Sequence, residues 1–157
     1  MSIVRKIINV LTTLIIVLGG TFLILYICGI VPYVVLSGSM EPTIKTGSLC
    51  FINRYSNFND IKEKDIVAFK LENGTLVTHR AIEISDSGIT TKGDRNKEQD
   101  GSLVTKNNYV GKNILWIPKI GYLVMAFQST RGEIVLLTFI LLLFIIGILF
   151  GDNKKEK

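Results

Sequence analysis

The chain has 157 residues, 48% hydrophobic and 20% charged, with a net charge of +5. That mixture excludes an intrinsically disordered protein, which combines low hydrophobicity with high net charge. The apolar residues gather in two blocks, 7–31 and 134–150, so a small membrane-anchored domain is the starting expectation.

The basic residues flank those blocks. Arg5 and Lys6 precede the first, and Lys154, Lys155 and Lys157 follow the second. Residues 32–133 carry 13 basic and 11 acidic side chains, with no compact basic and aromatic patch, so no nucleic-acid partner is expected. Lys/Arg-rich ends fit short cytoplasmic tails, here 1–6 and 151–157.

Taken as a helix, 7–31 would reach roughly 37 Å, enough to cross a hydrocarbon core of about 30 Å with some tilt. A cleaved leader has a shorter apolar region closed by a small-x-small site, and no such pattern closes this one. The second span is expected over 131–150, at the short end of the spanning range. A soluble helix apolar on every face would need a larger core than this chain holds. Both tails then face the cytoplasm, and 32–130 forms a domain on the extracytoplasmic side of a multi-pass cell-membrane protein. Neither block carries Asp, Glu, Lys, Arg or His, which argues against an ion path.

Between the blocks, short apolar runs bounded by turn residues predict strands at 49–53, 65–71, 76–84 and 109–117. Asn73-Gly74 marks a hairpin turn between the second and third. Ser85-Asp86-Ser87-Gly88 marks another turn, leading to Ile89 and Thr90-Thr91. The expected fold is mainly β: a small antiparallel domain flanked by two transmembrane helices. The segment 120–127 reads either as core packing or as a stretch dipping into the membrane surface.

Cys28 and Cys50 are poorly placed for a disulfide, and one histidine cannot build a multi-histidine centre, so no metal or other cofactor is expected. Ser39 lies between Gly38 and the Pro42 turn, His79 falls on a predicted strand, and Asp94 and Asp100 occupy turn-rich sequence. Singly, each reads as ordinary loop or strand chemistry. As a set they supply a nucleophile, a base that accepts its proton near neutral pH, and two candidate carboxylates to orient that base. Ser39 is eight residues beyond Val31, within about 29 Å of the block's end, which suits a substrate held in the membrane.

Ser37-Gly38-Ser39-Met40-Glu41-Pro42-Thr43 resembles the serine box of type I signal peptidases. Lys64–Phe69, Thr78-His79-Arg80-Ala81-Ile82, Thr91–Asn96 and Ile117–Tyr122 are similar to that family's later motifs, in order. The histidine in the base-bearing box resembles the endoplasmic-reticulum, archaeal and Gram-positive spore-former branch rather than the lysine branch. The resemblance implies a serine endopeptidase that cuts signal-peptide-bearing precursors at the bilayer after small residues at −1 and −3. It further implies Ser39 as nucleophile, His79 as general base, Asp100 in the triad, Asp94 in support, and Ser37 at the oxyanion. An imidazole base predicts cleavage that falls as pH drops through roughly 6 to 7. Ser48 stands where many relatives carry an acidic residue, a departure expected to affect a turn. Two competing readings are a serine-lysine peptidase using Lys70 or Lys92, and an inactive membrane-tethered scaffold for secretion partners. Any need for accessory subunits is left open.

Overall fold

The computed structural model describes residues 3–151, so of the tails expected at 1–6 and 151–157 only residues 1–2 and 152–157 lie outside the described residues, and 3–6 are helical. The chain separates into a unit of residues 25–124 and a second made from the two ends.

Helix α1 runs Ile3–Ile27, and its Asn9–Ile27 stretch is long and apolar enough to cross a membrane. The helix stops short of the expected boundary at residue 31. Gly29 has φ +75° and its N–H donates to the Tyr26 carbonyl at 3.0 Å, a left-handed cap that glycine adopts without steric cost. Ile30–Val34 then forms strand β1, which suits β-branched residues and a proline at a sheet edge. Apolarity alone does not separate a membrane helix from an apolar strand that follows it directly.

At the other end, α2 spans Ile120–Gln128 and α3 Thr130–Gly151. Ser129 breaks them: its hydroxyl donates to the Ala126 carbonyl at 2.6 Å and accepts the Gly132 N–H at 3.1 Å. Ile120–Gln128 and Thr130–Leu143 meet the measure of a span only when taken together, so the described residues contain one candidate membrane helix by itself.

The domain of residues 25–124 is built on a six-stranded antiparallel sheet ordered β1-β2-β6-β3-β4-β5. The remaining strands are β2 (Leu49–Asn53), β3 (Ile66–Lys70), β4 (Leu76–Ser85), β5 (Gly88–Lys92) and β6 (Tyr109–Ile117). β2 and β6 coincide with the strands expected from the sequence. The Asn73-Gly74 turn joins β3 to β4, with the Thr75 N–H donating to Asn73 Oδ1 at 2.9 Å. β3 is apolar throughout Ile66-Val67-Ala68-Phe69 because both of its faces are buried. Ile66 and Ala68 join Met40, Ile44, Cys50 and Ile52 in one core. Val67 and Phe69 join Ile61, Ala81, Ile89 and Val104 in the other. Burial pushes the Cys50 thiol up to about 11, which keeps it protonated and inert.

Candidate active site

Three stretches distant in sequence meet at Ser39. The loop after β1 carries the serine, β4 carries His79, and the segment following β5 carries Asp100. β3 fixes the histidine: Val67 lies opposite His79 in the register, and the Phe69 ring packs edge-on against the imidazole at a centroid distance of 6.2 Å. His79 is only 7% exposed.

His79 Nε2 lies 3.0 Å from Ser39 Oγ, and His79 Nδ1 lies 2.6 Å from Asp100 Oδ2. An ionised carboxylate only accepts hydrogen bonds, so Nδ1 carries the proton and Nε2 is left to accept from the serine hydroxyl. Asp100 is itself anchored twice by β5. Its N–H donates to the Thr91 carbonyl at 2.8 Å, and the Thr91 hydroxyl donates to Asp100 Oδ2 at 2.6 Å. Thr91 is wholly buried. Sequence reasoning passed over it, though its position in the strand beside β4 was the available signal.

Asp94 goes elsewhere. Its carboxylate accepts from Arg80 Nε at 2.8 Å and Arg80 Nη2 at 2.7 Å, a two-pronged pair. Arg80 also donates to the Lys64 carbonyl at 2.8 Å, fastening the residue next to His79 to the turn before β3. The Arg80 guanidinium holds the Asp94 carboxyl below the usual carboxylate range, outweighing the opposing effect of partial burial. A depressed folded-state value means that stabilisation is complete above the unfolded value near ~3.9 and is lost as pH falls through the folded one. Asp94→Asn is therefore expected to lower the unfolding free energy by about 1.5–3 kcal/mol at neutral pH. In urea titrations the gap between the two proteins should close as pH is taken below about 4; an undiminished gap there contradicts this role.

The serine loop is held from both sides. The Arg95 N–H donates to the Ser39 carbonyl at 2.8 Å, and Arg95 Nη1 pairs with Glu41 Oε2 at 3.0 Å. Gly93 makes the approach possible, since a Cβ there would lie 2.7 Å from the Ser39 carbonyl oxygen. Ser37 Oγ is 3.4 Å from Ser39 Oγ. The Ser39 N–H has no hydrogen-bond acceptor among the described residues. Ser48, the departure noted in the sequence, is buried, and its hydroxyl closes the preceding turn on the Lys45 carbonyl at 2.6 Å.

A cleft of about 550 Å³ leads to these groups. Tyr33–Ser37 forms one wall, Thr75–His79 the other, and Met40, Ile44 and Cys50 the floor. Its walls come from strands far apart in the sheet order, so the sheet curls to bring them together. Among the described residues, no lysine lines it.

Residues 5–100 match the family model described as signal peptidase, peptidase S26. The chain belongs to this family. It is 37% identical over 78 residues to "Signal peptidase I W" of Bacillus subtilis (strain 168), covering 47% of this chain and 41% of that protein. It is 35% identical over 101 residues to the human "Signal peptidase complex catalytic subunit SEC11C", covering 56% of this chain and 52% of the relative. A SEC11 subunit from Lodderomyces elongisporus is 34% identical over 114 residues, covering 62% and 66% respectively. The chain thus falls with the type I signal peptidases of the endoplasmic-reticulum and Bacillus W type, and spans about half the length of these curated relatives.

Proposed function

We propose that the chain is a membrane-bound serine endopeptidase that removes N-terminal signal peptides from exported precursors. The observation that carries this reading is the unbroken hydrogen-bond chain from Asp100 through His79 to Ser39 at the end of an open cleft. Ser39 attacks the scissile carbonyl, His79 takes its proton and returns it to the leaving amine, and Asp100 holds the tautomer and steadies the imidazolium. Water then releases the acyl-enzyme with His79 again as base. The Ser39 N–H and the Ser37 hydroxyl receive the oxyanion. Asp94 supports the site indirectly, by fixing Arg80.

Substrate binding follows from strand pairing. β5 pairs only with the Arg80–Ser85 half of β4, while Leu76–His79 pairs with β3 alone. An extended precursor laid along that open edge gains main-chain hydrogen bonds without a demand on sequence. The preference for small side chains at −1 and −3 comes from the family resemblance. Residues 7–27 and 131–150 cross the cell membrane, both tails are cytoplasmic, and the catalytic domain of 32–130 is extracytoplasmic.

The purified, detergent-solubilised full chain should cut a precursor bearing an intact signal peptide, with the new N-terminus read by mass spectrometry. Cleavage after a small-x-small segment is expected, with none by Ser39→Ala and none of a precursor carrying Trp at −1. An inert unmodified chain, or cleavage surviving Ser39→Ala, overturns the proposal.

A further inference from the structure

A second cavity, of about 260 Å³, opens where α1 gives way to β1. It is lined by Tyr26, Gly29, Val31, Arg54 and Tyr55, none of which contributes to the Ser39 cleft. Its walls are tied together. The Tyr55 ring lies directly against Gly29, where any Cβ would meet it at 2.6 Å. The Arg54 N–H donates to the Gly29 carbonyl at 2.8 Å, and the Tyr55 N–H donates to Asn53 Oδ1 at 2.9 Å. Tyr26, Arg54 and Tyr55 thus share one hollow at the surface, where the two tyrosines are 66% and 73% exposed.

Among the described residues, Arg54 makes no ion pair and neither phenol hydroxyl has a hydrogen-bond partner. A guanidinium offers a planar fork of donors that suits phosphate oxygens, and phenol hydroxyls add two more. Position narrows the choice of anion. Tyr26 is the residue before the last of α1, so with that helix spanning the bilayer its ring falls at headgroup level, where tyrosine is enriched.

We propose that this cavity binds the phosphate of an anionic phospholipid in the leaflet facing the catalytic domain. Arg54 grips the phosphate oxygens, and Tyr26 and Tyr55 flank them. The proposal goes beyond peptidase activity and rests on the reading of α1 as a span.

Native mass spectrometry of the full chain, titrated with phosphatidylglycerol, phosphatidylcholine or glycerol 1-phosphate, tests it. The unmodified chain should retain one phosphatidylglycerol at concentrations where phosphatidylcholine is not held. Arg54→Gln should weaken that retention about tenfold. Tyr55→Phe, which keeps the ring on Gly29, should weaken it less, and the exposed Lys106→Gln not at all. Equal retention of the two lipids, or indifference to Arg54→Gln, overturns the site. Glycerol 1-phosphate held as tightly as the lipid overturns the choice of a lipid ligand. Flotation with phosphatidylcholine vesicles separates the two failures. A chain that does not float loses the span reading and this site with it, whereas a floating chain indifferent to Arg54→Gln loses the site alone.

Discussion

Replacing Ser39 or His79 by alanine is expected to lower kcat by about 10⁶-fold, and replacing both to lower it scarcely further. In the proposed mechanism the two act as one device. The serine hydroxyl attacks only as its proton leaves, and the acceptor 3.0 Å away is His79 Nε2. Removing either partner ends that transfer, so the second substitution finds little left to lose. Residual turnover would come from the oxyanion donors and from substrate binding alone. Kinetics of the two single variants and the double variant, on one precursor, check the point. Losses that multiply would show that the two residues act independently and would contradict the paired mechanism. Activity that survives His79→Ala but not Ser39→Ala would move the base to a lysine, Lys70 or Lys92 being the nearest alternatives in the sequence.

Much of the sheet was legible in the sequence because its signals are local. Asn73-Gly74 between two apolar runs marks a hairpin, and 49–53 and 109–117 are bounded by turn residues. β1 was not legible, since Ile30-Val31-Pro32-Tyr33-Val34 continues the apolar composition of α1 and the change of conformation depends on Gly29. The placement of β6 between β2 and β3 is likewise a long-range pairing with no local mark. The break at Ser129 rests on one hydroxyl serving two turns, and the segment 120–127 gave no sign that it would be helical. At the site, the serine, the histidine and both aspartates stood out as a set. Which carboxylate meets the imidazole did not stand out from the residues themselves, because Asp94 and Asp100 occupy similar polar loop sequence, and only the family resemblance put Asp100 there. Their environments differ only in three dimensions, where Arg80 takes one and Thr91 holds the other beside His79.

That difference yields the second large expectation. Asp100→Asn should lower kcat by about 10⁴-fold at neutral pH while leaving KM nearly unchanged. The substitution removes the negative charge that stabilises an imidazolium, and its amide can donate toward Nδ1, favouring the tautomer whose Nε2 carries a hydrogen. An Nε2–H cannot accept the serine proton. The loss corresponds to about 5.5 kcal/mol of transition-state stabilisation, set against a smaller loss of folding stability, because Asn gives up the carboxylate oxygen that accepts from the Thr91 hydroxyl but keeps the backbone bond to Thr91 and fills the same space. Asp94→Asn should behave in the opposite way, with lowered stability and a kcat changed far less, since its carboxylate touches Arg80 rather than the imidazole. The pair of variants therefore separates the two roles on two readouts. If Asp94→Asn abolishes turnover in a folded protein while Asp100→Asn retains it, the assignments are reversed, and the imidazole must turn toward Asp94 in the working enzyme.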